Sequence, residues 1–139
     1  MKKLLYLFLA ITIISCGGDD DSGNTNNNSS NLSINPPSWI QGVYYQVFPT
    51  TGDVIPVGYE FKSDDFCTVA DNSAFCNKEQ LELYASSNLF ADVYEEIDND
   101  RYFLEITQQS FTTTYEFLKV SSTSIVEILP SGDVTYILQ

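Results

Sequence analysis

Three cysteines and an excess of carboxylates are the reactive side chains of this chain, and no histidine accompanies them. The missing imidazole removes Ser-His-Asp and Cys-His nucleophilic chemistry, His-ligated zinc and the usual general base near neutral pH. Cys67 and Cys76 stand nine residues apart in the body of the chain, while Cys16 closes an apolar run near its start. Redox pairs favour Cys-x-x-Cys spacing and structural zinc takes four ligands, so Cys67 and Cys76 are expected to form a disulfide in an oxidising compartment. Closing a loop of about ten residues constrains the unfolded chain by roughly 2.5–3 kcal/mol in the entropic account.

The carboxylates offer less chemistry than their number promises. Asp64-Asp65 and Glu95-Glu96 are adjacent pairs, and neighbours on an extended chain point to opposite faces, so neither pair builds the two-carboxylate site of a glycosidase. Asp98-Asn99-Asp100, Asp71-Asn72 and Asp19 to Asp21 carry oxygen ligands. None has EF-hand spacing, and Asp and Asn are the residues that hairpin turns use. No metal, no cofactor and no enzymatic activity are expected. The aromatic residues Trp39, Tyr44, Tyr59, Phe61, Tyr102, Tyr115, Phe117 and Tyr136 are the candidate ligand-binding set. They can line an apolar pocket or serve as the packed core that fills a small barrel. Tyrosine hydroxyls need polar partners, which places several of these rings near a rim or mouth.

Cys16 sets the topology. Lys2 and Lys3 precede an eleven-residue apolar segment at 4–14, and Ile13-Ile14-Ser15 leads into the cysteine. Eleven residues suit a secretory signal, whereas a membrane-spanning helix needs about 20. Aliphatic residues at −3 and −2 and a small one at −1 match a bacterial lipobox. Residues 1–15 are therefore expected to be a lipoprotein signal peptide, with Cys16 lipidated as the mature first residue. One acyl chain gives reversible attachment, and a diacylglyceryl group with a third chain makes it effectively permanent. Gly17-Gly18-Asp19-Asp20-Asp21 resembles the acidic export signal of Bacteroidetes surface lipoproteins. That resemblance implies an outer-membrane, lipid-anchored protein facing the cell exterior. The following stretch is Asn, Ser, Gly and Thr with only Leu32 and Ile34 apolar, and such a composition reads as a disordered tether. The expected division is 16–36 for the lipidated cysteine and tether and 37–139 for one small folded domain.

From Pro37 onward four bases stand against sixteen acids, a net charge of −12. A domain so acidic repels phosphate backbones, which excludes nucleic acid as a partner. Its dominant period is two. Runs rich in Val, Ile, Thr, Tyr and Phe predict strands over 40–48, 54–62, 66–70, 91–97, 101–108, 111–120, 123–129 and 134–138. Pro56 lacks an amide proton and so predicts an edge or a bulge. Residues 77–87 break the alternation; Asn77 with Gln80 three residues later fits a capping box, and Leu81 and Tyr84 share one face of a short helix. Short turns and the absence of crossover helices predict an all-β fold, an antiparallel meander of about eight strands closing into a barrel, with one short helix.

The residues also resemble a family. Trp39-Ile40-Gln41-Gly42-Val43-Tyr44 is similar to the opening of the lipocalin-like domains of Bacteroidetes lipoproteins, with Tyr44 where that family carries tryptophan. The short helix around Lys78 to Tyr84, the Tyr102-x-Leu104-x-Ile106 run, Tyr115-Glu116-Phe117 and the terminal Tyr136-Ile137-Leu138 continue the likeness. The resemblance implies a lipocalin-like barrel that binds a small apolar molecule or a glycan. The alternative from a different class is an accessory lipoprotein that meets a partner protein at the envelope. An internal cavity of about 300 Å³ or more opening at a barrel end favours the first, and a packed interior with an exposed apolar patch favours the second.

Overall fold

A computed structural model describes residues 31–139 of the chain. The expected signal segment, Cys16 as the expected lipidation residue, the acidic run and the part of the expected tether up to residue 30 lie outside the described residues. Within them the order is β1 (Gly42–Val47), β2 (Val54–Phe61), β3 (Phe66–Ala70), β4 (Ser73–Cys76), α1 (Asn77–Ser86), β5 (Ala91–Ile97), β6 (Arg101–Gln108), β7 (Phe111–Lys119), β8 (Ser124–Glu127) and β9 (Val134–Leu138). All nine strands join one antiparallel sheet in the order β4-β3-β2-β1-β9-β8-β7-β6-β5. The sheet curls on itself as an all-β meander of lipocalin-like, barrel-like form, with β9 returning to pair with β1. β4 and β5 are its two edges, and α1, which packs on β5 and β3, covers the seam between them.

The period-two runs form strands because alternate Val, Ile, Phe and Tyr side chains bury one face of the sheet while Thr, Glu and Lys remain on the other. β6 shows this most plainly, with Tyr102, Leu104 and Ile106 buried and the residues between them half-buried. β4 falls in a stretch where the sequence pattern predicts no strand. It has four residues, too few to display an alternation, and it forms because Cys67 of β3 pairs directly with its Cys76. The disulfide joins those two residues across Cα atoms 4.0 Å apart. At Pro56 the ladder behaves as the missing amide requires. Tyr45 pairs with Gly58 but the next residue, Gln46, pairs with Ile55, leaving Pro56 and Val57 as a bulge. Gly58 beside that bulge lets β1 approach closely, because a Cβ there would overlap the carbonyl oxygen of Tyr44.

The helix starts differently from the capping-box expectation. Cys76 is the N-cap and makes no side-chain cap bond, while Asn77 donates from Nδ2 to the carbonyl of Phe66 at 2.5 Å. Asp65 does the capping from a distance in sequence: its Oδ1 accepts from the Lys78 amide at 3.0 Å and from the Phe66 amide at 2.8 Å. The reason is the cystine. It ties the chain to β3 up to Cys76, so the helix begins where the β2–β3 turn presents its carboxylate, and an anion at a helix start is favourable.

The expected tether boundary at Pro36 also moves. Residues 31–36 lie along the free edge of β5 as a strap. The Val93 amide donates to the Asn31 carbonyl at 2.7 Å, the Asn31 amide donates to Asp92 at 2.8 Å, and the Asn35 amide donates to Glu95 at 2.9 Å. Ile34 is 2% exposed within the core, and Leu32 packs against it. An open strand edge and the burial of Ile34 in the core therefore order a segment whose composition reads as disordered.

Because every neighbouring pair is antiparallel, the connections alternate between two ends of the sheet. The strap end carries Trp39, whose Nε1 donates to the Asp98 carbonyl at 3.0 Å, and the β2–β3, β5–β6 and β7–β8 turns. The opposite, loop end carries the β1–β2, β3–β4, α1–β5, β6–β7 and β8–β9 connections.

Candidate ligand-binding site

The eight aromatic residues singled out from the sequence converge inside the sheet and on one another. Tyr44, Phe61, Tyr102, Phe117 and Tyr136 are buried, while Tyr59, Tyr115 and Trp39 pack against them partly exposed. Phe61 and Phe117 meet edge to face at 5.0 Å, Tyr59 lies 5.2 Å from Phe117 and from Tyr136, and Phe66 lies 4.8 Å from Tyr115. Rings at these separations fill one another's faces, so the set builds the core of the barrel. Trp39 packs at the margin of this core, with the Lys119 ammonium 5.8 Å from its ring.

The tyrosine hydroxyls are held by carboxylates. Glu127, 3% exposed, accepts from Tyr59 at 2.9 Å and from Tyr136 at 2.8 Å. Glu95 accepts from Tyr102 at 2.5 Å as well as from the strap. Burial first, and the neighbouring Glu127 second, raise the Tyr59 phenol far above its ordinary value. Burial and Glu95 do the same for Tyr102, and burial and Glu127 for Tyr136. These phenols stay protonated and act as donors. Glu127 was not singled out from the sequence, since a lone acid among apolar alternates carries no local mark of its tyrosine partners.

The adjacent acid pairs separate as strand geometry requires. Glu95 turns to Tyr102 and the strap while Glu96 pairs with Arg101 at 2.7 Å, and that guanidinium holds the Glu96 carboxyl below its usual range. Asp64 pairs with Lys78 at 2.6 Å while Asp65 is buried at the helix start. Asp98 and Asp100 take part in backbone turn bonds, and Asp71 sits in a left-handed turn. Glu60 lies within 4.8 Å of both cystine sulfurs, but the sulfurs are bonded to each other, so the trio offers a metal one carboxylate and no thiolate.

The open concave surface lies at the seam. There a groove of about 670 Å³ runs between β3–β4 and α1, lined by Thr68, Phe75, Asn77, Glu79, Gln80 and Leu83. Phe75 is 68% exposed and Leu83 63% exposed, so an aromatic ring and a branched aliphatic face water across amide side chains. Phe75 pairs with Thr68, which pairs with Tyr59, so all three project to the concave face and the groove continues the inner surface of the sheet beyond its packed core. Sequence reading missed both apolar residues. Leu83 lies off the Leu81–Tyr84 face of the helix, an apolar residue on a polar side, and that is the available signal; Phe75 has none, being in a four-residue strand too short to show an alternation. Against this geometry, no protein-family model, no curated protein and no solved structure matches the chain.

Proposed function

We propose that this chain is a cell-envelope lipoprotein whose small lipocalin-like domain binds a small apolar molecule or a glycan at the outer surface. The ligand sits in the seam groove between β4 and α1, outside the aromatic interior. The observation that carries the reading is the pairing of an exposed ring and an exposed aliphatic, Phe75 and Leu83, in a groove of about 670 Å³ with Asn77 and Gln80 beside them. That volume lies within the range of small-molecule sites, about 300–1,000 Å³, and a ring beside amide donors and acceptors suits both an apolar body and the face of a sugar. Lipidation at Cys16 and the acidic residues after it would hold the domain at the membrane, facing outward. Native mass spectrometry of the protein isolated from its own cells tests the reading. A retained small molecule, lost in Phe75→Ser and Leu83→Ser variants that melt as the parent does, is the expected outcome. A retained protein in place of a small molecule would favour the accessory-lipoprotein reading, which the exposed Leu89, Phe90 and Phe111 at the loop end support.

A further inference from the structure

The bases of this domain are gathered at one of its ends, while carboxylates lie at both. All four bases of the described residues lie at the strap end: Lys62 just after β2, Lys78 at the start of α1, Arg101 at the start of β6 and Lys119 at the end of β7. All four ion pairs lie there with them. The loop end carries Asp53, Asp71, Asp92 and Asp133 and, among the described residues, no base. Uncompensated carboxylates at one end of a low-dielectric body create a potential that concentrates cations there.

That end also holds a cavity distinct from the seam groove. It measures about 360 Å³ and lies between the β1–β2 and β8–β9 loops, with Phe48, Pro49, Val134 and Asp133 among its walls. Asp133 is the one ionisable residue among those lining it; it is exposed, and Phe48 is 47% exposed. The walls are braced before any ligand arrives. The Phe48 amide donates to the Asp53 carbonyl at 2.8 Å, the Gly52 amide to the Phe48 carbonyl at 2.8 Å, and the Gly132 amide to the Leu129 carbonyl at 3.0 Å. Gly52 makes the first turn possible at φ +76°, a conformation that disfavours a side chain. A carboxylate and an aromatic ring lining one apolar cleft are the chemistry that suits an ammonium group with an apolar body: the carboxylate can pair with the charge, and the ring adds apolar contact and a cation–π partner.

We propose that the cavity between the β1–β2 and β8–β9 loops is a second binding site, selective for small organic cations. It does not depend on the seam groove. The test is an NMR titration of the ¹⁵N-labelled full chain in nanodiscs with three matched probes: phenethylammonium, the neutral 2-phenylethanol and the anionic 3-phenylpropanoate. Phenethylammonium should shift the amides of residues 46–48, 50–52 and 133–135 saturably, and the anion should not. Asp133→Asn should weaken the cation about fivefold, the loss of one partly solvated ion pair. Phe48→Leu, which keeps apolar volume and removes the ring, should weaken it about threefold. Equal binding of 2-phenylethanol, unchanged affinity in Asp133→Asn, saturable shifts confined to the seam groove, or no saturable shift would each overturn the proposal.

Discussion

Replacing Ile34 with alanine separates a tether from a strap. A side chain in a solvated tether contributes within about 0.5 kcal/mol of nothing when truncated. Ile34 is 2% exposed and belongs to the same buried cluster as Phe61 and Tyr102, and an Ile→Ala change in a core costs about 2–5 kcal/mol. The strap is one segment laid along an edge, held by the Asn31 and Asn35 bonds to β5 and by the Gln41 side-chain amide that donates to the Pro36 carbonyl, so it can relax into part of the space left behind. That places the expected loss near the lower limit, about 2–3 kcal/mol. A domain of this size has roughly 5–15 kcal/mol in hand, so the variant should still fold. The assay is equilibrium urea unfolding of the chain from Gly17 onward with the disulfide intact, followed by tyrosine and tryptophan fluorescence. With a slope near the low end of about 1–3 kcal/mol per molar urea, the midpoint should fall by about 2 M. Ser33→Ala, at an exposed position of the same strap, should leave it unchanged. A midpoint for Ile34→Ala within about 0.3 M of the parent, with the same slope, would refute the reasoning.

Two further outcomes follow from the interior. Tyr59, Tyr102 and Tyr136 have phenols raised above their ordinary value of 10.0 by burial and by carboxylate neighbours. The folded state therefore holds protons that the unfolded chain releases, and the stability they contribute is complete below pH 10 and is lost as pH rises above it. The loss should be about 1.4 kcal/mol per pH unit for each such tyrosine, read from urea midpoints at pH 9, 10 and 11. Ordinary phenolate titration of all the tyrosines while the far-ultraviolet spectrum stays native would contradict the burial. Gly58→Ala would drive a methyl group into the Tyr44 carbonyl at the β1–β2 bulge. It should cost about 3 kcal/mol or more and lower the melting temperature by about 10 °C or more. A melt within about 2 °C of the parent would show that the bulge yields.

The fold was legible because strand formation is written locally. A period-two run such as Arg101 to Gln108 declares its buried face without reference to the rest of the chain, and the strands at 66–70, 91–97, 101–108 and 134–138 lie where the alternation placed them. Pro56 announced an edge or a bulge for the same reason, since a missing amide proton is a property of one residue, and the structure makes it a bulge. The cystine was legible from the count of thiols, and the structure closes it between Cys67 and Cys76. The candidate site was less so. The aromatic residues were identifiable as a set, but whether rings line a cavity or fill it depends on how tightly the sheet curls. That curl is set by contacts between residues such as Phe61 and Phe117, which are 56 positions apart.

The sequence by itself determined the element types, the all-β class, the single cystine, the strong acidity and the lack of imidazole chemistry, all of which reside in residue identity or near-neighbour pattern. Only the tertiary structure decided what those elements meet. It turned a polar stretch into a strap because β5 had an open edge, and it capped the helix with Asp65, twelve residues before Asn77, because the cystine held β4 in place. It also gave the aromatic residues to the core and left the open concave surface to Phe75 and Leu83. Long-range partners carry no local signature, and burial follows from partners.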